Sequence, residues 1–314
     1  MSAGLLFPGQ GSQHVGMGRD LAERFPAARD TFLEADEAVG FTLSRLCWEG
    51  PDAELTRTEI AQPAILVHSI AVWRLARPLG VEVVAAAGHS LGEWSAYVAA
   101  GALGFADAVR TVGRRGELMA RAGAERPGTM AAVLGLSDGE VELVCSEASQ
   151  AGSIAVPANY NSPGQVVISG DPEAVARAGE LARRNGAKRV LPLNVSGAFH
   201  SPLIRSAEDG LRDALDAVPL ADPEFPIVAN ASAEPVRDAV SAARLLVEQL
   251  TAPVRWVGCV EAMSGLGVDR FLELGPGNVL SGLTRRIARG VHCQSLGTAE
   301  ALDHFSNNAA TAWN

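Results

Sequence analysis

The segment Gly88-His89-Ser90-Leu91-Gly92 follows the apolar run Val83-Val84-Ala85-Ala86-Ala87 and leads into Glu93-Trp94-Ser95-Ala96-Tyr97-Val98-Ala99-Ala100. A strand turning sharply into a helix at G-x-S-x-G lifts the serine hydroxyl above the sheet, the arrangement of a nucleophile elbow. Glycines stand two residues to either side because the turn brings backbones too close for a Cβ. Ser90 is therefore the candidate nucleophile, and the chemistry it could do is acyl transfer through an ester. The helix beginning at Leu91 aims free N–H groups and its positive dipole end at the same spot, so the Leu91 N–H is a candidate oxyanion donor.

A serine hydroxyl needs a base within hydrogen-bond reach, and histidine has a suitable pKa near neutrality. Six histidines compete. His89 adjoins the serine at a buried strand end, where it is expected to point away and pack. His68 falls on an apolar helix face and His292 on an expected strand, both positions for satisfied core histidines. His14 follows Gly9-Gln10-Gly11-Ser12-Gln13, and His304 sits in a polar C-terminal tail expected to be disordered. His200, in Ser196-Gly197-Ala198-Phe199-His200-Ser201-Pro202, lies where the chain leaves one unit and re-enters another. That is a cleft position, and His200 is the candidate base.

The elements that must hold these residues can be read from apolar periodicity. A strand is expected at 3–7, helices near 17–38 and 61–79, a strand at 82–88, and helices at 91–101 and 105–121. This alternation implies a parallel sheet. Pro63 is placed in the first turn of the second helix, where its missing N–H has no intrahelical partner. Residues 121–128 have the composition of a linker. A smaller unit follows, with strands at 130–134, 153–156, 165–169 and 189–193, helices at 137–150 and 171–186, and a turn at Asn161-Ser162-Pro163-Gly164. Its βαββαβ order is ferredoxin-like. The first pattern then resumes with a helix at 202–217, a strand at 226–230, helices at 239–250 and 255–264, a strand at 269–274, a helix at 278–288 and a strand at 291–295. The small unit is thus inserted: residues 1–125 plus 199–314 form one domain and 126–198 the other.

Phe7-Pro8-Gly9-Gln10-Gly11-Ser12-Gln13, Gly88-His89-Ser90-Leu91-Gly92-Glu93, Asn161-Ser162-Pro163-Gly164-Gln165 and Gly197-Ala198-Phe199-His200-Ser201 occur in this order, with Gly275-Pro276-Gly277 near the C-terminus. The chain resembles the malonyl-CoA:acyl carrier protein transacylases over roughly residues 3 to 295. The resemblance implies an α/β-hydrolase-like domain with an inserted ferredoxin-like one, in agreement with the periodicity. It implies a Ser90–His200 dyad whose histidine is held by the backbone carbonyl of Gln249, and a second oxyanion N–H on Gln10. Arg115 matches the family arginine that binds the free malonyl carboxylate, a task suited to a guanidinium that stays charged and forms two parallel hydrogen bonds. Arg114, about 100° away on the same helix, cannot face the same side. Gln62 and Asn161 match polar positions of the family's cleft, although each could equally serve a cap or a turn. Phe199 matches the malonyl-selective version of its motif, in which a bulky ring leaves little space for an α-methyl branch. The chain departs from the common family form at Trp94, where tyrosine is usual, and in the tail after about residue 299.

The implied reaction is ping-pong, with malonyl-CoA as substrate, no metal or other cofactor, and an acidic, phosphopantetheinylated acyl carrier protein as acceptor. A serine hydrolase ending on water and a catalytically silent carrier-docking subunit are the rival readings, and the pathway served, fatty acid, polyketide or malonate decarboxylase, is open. Composition fits an ordinary α/β enzyme: 314 residues, 47% hydrophobic and 20% charged. A net charge of −10 and a pI near 5.1 disfavour a nucleic-acid or anionic-membrane partner. Local basic runs at Arg183–Arg189 and Arg285-Arg286 could still meet an acidic one. Cys47, Cys145, Cys259 and Cys293 form no C-x-x-C pair and are expected as buried thiols. Without a signal-like N-terminus or a long apolar run, a cytoplasmic protein is expected, and it is taken to act as a monomer.

Overall fold

The computed structural model describes residues 2–309. Among them are ten strands: β1 (Ser2–Phe7), β2 (Glu82–Gly88), β3 (Thr129–Leu134), β4 (Ala155–Ser162), β5 (Gln165–Gly170), β6 (Arg189–Pro192), β7 (Ile227–Val228), β8 (Pro235–Val236), β9 (Arg270–Glu273) and β10 (His292–Ser295). Six form one sheet in the order β10-β9-β1-β2-β7-β8, parallel apart from the β7–β8 hairpin. β1 is apolar without alternation, and Ala3, Leu5, Leu6 and Phe7 are all fully buried, because a central parallel strand is covered on both faces. The helices Thr58–Ala76, Leu91–Ala99 and Phe105–Glu125 supply much of that cover.

The other four strands make an antiparallel sheet, β4-β5-β3-β6. Its chain order is strand, helix, strand, strand, helix, strand, the ferredoxin-like arrangement, with helices Asp138–Ala148 and Pro172–Arg184. Ser137 and Glu140 form a reciprocal capping box on the first of these helices. Val133, Val141, Val144, Val166 and Ile168 give this sheet a core of its own. β4 also pairs with the segment that joins helices Ala239–Glu248 and Trp256–Gly265, where Val254 N–H donates to Ala158 O (2.8 Å) and Tyr160 N–H to Val254 O (2.9 Å).

Several expected boundaries move. The helix containing Pro63 starts at Thr58, so the proline lies inside it rather than in its first turn. An interior proline costs about 3 kcal/mol or more, but this helix is buried around most of its circumference, and packing outweighs the lost hydrogen bond. The supposed linker is mostly helix, because Phe105–Glu125 runs through it. The helix expected at 17–38 is two, Arg19–Arg24 and Pro26–Val39, and Leu43–Glu49 and Asp52–Leu55 add unexpected helical turns. β4 runs on to Ser162, so the hairpin turn shrinks to Pro163-Gly164. The helix at 202–217 divides into a 3₁₀ segment, Pro202–Ala207, kinked at a non-helical Ile204, and the helix Glu208–Asp216. The strand at 226–230 is only β7, paired to an unexpected β8.

The C-terminal segment is also ordered, as helix Ala299–Ala309. Leu302 and Phe305 are buried, Asp20 accepts the Ala299 N–H (2.7 Å), and Arg24 pairs with Asp303 (2.6 Å). His292 is exposed on edge strand β10 rather than in the core, and Cys293 is half-buried where Cys47, Cys145 and Cys259 are buried. Trp94 is fully buried and lines no part of the cleft described below. No helix among the described residues is long and apolar enough to cross a membrane.

Candidate active site

β2 delivers Gly88, and the helix Leu91–Ala99 begins directly after Ser90. A Cβ on Gly88 would overlap the backbone of Gly92, and one on Gly92 would overlap Phe7 O, so the turn admits only glycine at both positions. Ser90 adopts φ 51° and ψ −106°, the strained conformation of an elbow. Its hydroxyl faces a cleft of about 340 Å³ between the two sheets, lined among others by Gln10, His89, Phe199 and His200, by Met119, and by Met130 and Leu193 of the small unit.

His200 reaches Ser90 from the segment that re-enters the large unit. Ser201 Oγ accepts the Leu203 N–H and caps the 3₁₀ turn begun by Pro202, which fixes the chain just after the histidine. His200 Nε2 lies 2.8 Å from Ser90 Oγ, and Nδ1 lies 2.8 Å from Gln249 O. A backbone carbonyl only accepts, so Nδ1 carries the hydrogen and Nε2 turns its lone pair to the serine O–H. Gln249 stands at the C-terminal end of helix Ala239–Glu248, where the last carbonyls have no intrahelical donor. Burial and the nearby Arg115 charge pull the His200 pKa down to about 3, so the imidazole is neutral at physiological pH.

Arg115 comes from the middle of helix Phe105–Glu125. Its neighbour Gly116 packs on the Thr58–Glu59 backbone, where a Cβ would lie 2.6 Å from Glu59 Cα, and this closeness brings Arg115 to Gln62. Arg115 Nη1 donates to Gln62 Oε1 (2.6 Å), and Nη2 donates to Ser90 Oγ (3.1 Å) and Gln249 Oε1 (2.9 Å). Arg115 is 1% exposed; Arg114 is on the surface, paired with Glu117. Burial lowers the Arg115 pKa to about 10, still cationic at neutral pH.

Gln62 is thus held by arginine, with its Nε2 on Met119 Sδ (3.3 Å), and caps no helix. Asn161 Oδ1 lies 2.9 Å from His89 Nε2. His89 does pack, 5.7 Å from the Trp256 ring, but it also lines the cleft, contrary to the expectation that it points away. Gln10 lines the same cleft, its side chain on Thr58 Oγ1 (3.3 Å). Among the described residues no protein acceptor engages the backbone N–H of Gln10 or of Leu91.

Two residues that sequence reasoning missed join this constellation. Asn230, just after β7, accepts the Ser90 N–H, and Glu93, in the first turn of the elbow helix, accepts the Asn230 N–H. A carboxylate among apolar residues was a visible signal for Glu93. Asn230 gave none, since it was expected as the last residue of a strand at 226–230, whereas β7 ends at Val228 and leaves it in the following turn.

Residues 5–306 match the family model described as acyl transferase domain. The malonyl CoA-acyl carrier protein transacylase of Bacillus subtilis (strain 168) is 45% identical over 298 residues, 95% of this chain and 94% of that protein. The chain belongs to the malonyl-CoA:acyl carrier protein transacylase family. Two solved transacylase-family structures are similar throughout. An acyl carrier protein S-malonyltransferase from Vibrio cholerae O1 has a TM-score of 0.92 and 43% identity, covering 96% of this chain and 99% of that one. A malonyl-transacylase solved in complex with a type II PKS acyl-carrier protein has a TM-score of 0.95 and 42% identity, covering 98% of this chain and 100% of that one.

Proposed function

We propose that this chain moves a malonyl group from coenzyme A, through an ester on Ser90, to the phosphopantetheine thiol of an acyl carrier protein. The observation that carries the reading is the buried Arg115 guanidinium 3.1 Å from the Ser90 hydroxyl. A neutral acyl ester has no use for a buried cation there. Malonate does, because one methylene separates its free carboxylate from the reacting carbonyl, so a guanidinium that touches Oγ also reaches the carboxylate. The relatives' names and the solved carrier complex support the same substrates.

In the first half-reaction His200 Nε2 takes the Ser90 proton as Oγ attacks the thioester carbon. The resulting oxyanion is received by the Gln10 and Leu91 N–H groups, whose lack of protein acceptors supports this role. Collapse breaks the C–S bond, and the proton passes from His200 to the coenzyme A sulfur. In the second half the carrier thiol gives its proton to His200 and its sulfur attacks the ester. Ser90 Oγ then leaves and recovers that proton. Gln249 O stabilises the imidazolium in each half, so the dyad needs no acidic third member. Gln62 and Gln249 orient the guanidinium, and Phe199 bounds the acyl pocket. For the acidic carrier, Lys188-Arg189 and Arg285-Arg286 are the basic runs to examine.

Intact-protein mass after mixing with malonyl-CoA tests this reading. The natural chain is expected to gain a malonyl adduct that Ser90→Ala abolishes and that a carrier thiol discharges faster than water. An adduct lost mainly to water would make the protein a hydrolase, and no adduct would leave a docking subunit.

A further inference from the structure

A serine at φ 51° is not held there by its own preferences, so neighbouring groups must over-determine it. Three backbone contacts do so. The Ser90 N–H donates to Asn230 Oδ1 (2.7 Å), while Ser90 O accepts from Gln249 Nε2 (3.0 Å) and from the Glu93 N–H (3.1 Å). The other end of the same carboxamide, Asn230 Nδ2, donates to Gly88 O (2.8 Å), so one side chain spans the turn on both sides of His89. Its orientation is forced, because Gly88 O can only accept and the Ser90 N–H can only donate.

Asn230 is itself held on both backbone groups, its O accepting the Arg255 N–H (3.0 Å) and its N–H donating to a carboxylate oxygen. Glu93 Oε2 accepts the Asn230 backbone N–H (2.9 Å) and Gln249 Nε2 (2.6 Å), and so anchors both side chains that grip Ser90. Glu93, Asn230 and Gln249 are each fully buried, and none lines the cleft. The transfer steps above use neither Glu93 nor Asn230.

We propose that Asn230 and Glu93 are positioning residues for Ser90: the Asn230 carboxamide splints the elbow between Gly88 O and the Ser90 N–H, and Glu93 fixes the splint to the helix that follows. This inference rests on Ser90 being the nucleophile. It also explains why the elbow offers the Leu91 N–H to an oxyanion, since the Ser90 N–H is consumed by Asn230. Only a side chain carrying a donor and an acceptor side by side can bridge the turn. Aspartate would set a second oxygen against Gly88 O, and alanine would leave a buried N–H and C=O unpaired.

The experiment is rapid-quench mass spectrometry of Ser90 acylation by malonyl-CoA, across pH, on the natural chain and on Asn230→Ala, Glu93→Ala and Glu93→Gln. The burst amplitude counts competent sites. Displacing the hydroxyl by about 1 Å should slow acylation per competent site roughly a hundredfold. In Asn230→Ala the concentration of malonyl-CoA at half-saturation should hold, because Arg115 keeps both Gln62 and Gln249 as partners. The pH dependence should also hold, because His200 keeps its carbonyl partner. Glu93→Gln, whose amide oxygen can still accept both hydrogen bonds, should recover most of the rate that Glu93→Ala loses. A purely structural role would lower amplitude and melting temperature and leave the rate per competent site unchanged, which would overturn the proposal. Glu93→Gln as slow as Glu93→Ala would overturn the Glu93 half of it. Absence of any adduct on the natural chain would instead remove the reading of Ser90 as nucleophile.

Discussion

One hydrogen-bond chain connects Gln249 O to His200, His200 to Ser90, and Ser90 to Arg115, with every link between 2.8 and 3.1 Å. At this scale selectivity is a question of what fits beside that chain. Phe199 is 5% exposed, lines the cleft and directly precedes His200, and under the proposed function its ring bounds the space next to the reacting carbonyl. An α-methyl on the acyl group would compete for that space. One methyl in an apolar pocket is worth about 1 to 3 kcal/mol. Phe199→Ser is therefore expected to lower the ratio of kcat/KM for malonyl-CoA over methylmalonyl-CoA by about tenfold or more. Competition kinetics with the two thioesters checks it, and an unchanged ratio would remove Phe199 from selectivity. The residues of this scale were mostly legible: Ser90 from its own motif, His200 from its position between units, Arg115 and Gln249 from the resemblance alone. Asn230 was not, because a splint contacts backbone that sequence does not display.

At the scale of elements, an apolar strand running into G-x-S-x-G and then into an amphipathic helix left one local structure open to the chain, so the elbow could be read in advance. The βαββαβ order was equally readable, since each strand was short, apolar and bounded by turn residues. Where local rules failed, tertiary packing had overridden them, as around Pro63. The C-terminal helix failed for a different reason: its polar surface hid a narrow stripe of Ala299, Leu302 and Phe305 at a spacing of three. That stripe seals the helix against the large unit, and Phe305 is 4% exposed. Removing a buried phenylalanine side chain costs about 3 to 5 kcal/mol. Phe305→Ala is accordingly expected to lower the midpoint of urea unfolding clearly, with Ser90 acylation at low temperature little changed. A midpoint equal to the parent's would mean that the helix is not docked in solution.

Across the whole molecule, the buried polar groups that assemble the site also tie its stability to pH. His200 and His68 are held near pKa 3 and 4, in both cases chiefly because burial disfavours the charged ring. Unfolded, each would titrate near 6.5. Below that pH the unfolded chain binds protons that the native one refuses, so each histidine withdraws stability as the pH falls, by about 1.4 kcal/mol per pH unit. Glu93 acts in the opposite sense. Burial raises its pKa to about 7 from the usual 4.5, so between those values the native state holds a proton that the unfolded state releases. Its contribution is therefore present at low pH and lost as the pH rises towards 7. Burial lowers the His89 pKa as well, so between pH 6.5 and 4.5 three imidazoles oppose the Glu93 carboxyl group, and the net expectation is a protein that weakens on acidification. Urea unfolding at intervals over that range should show stability falling with pH in the natural chain, falling more steeply in Glu93→Gln, which lacks the opposing titration, and less steeply in His68→Leu. Parallel curves for all three proteins would mean that these buried groups do not titrate as their surroundings dictate.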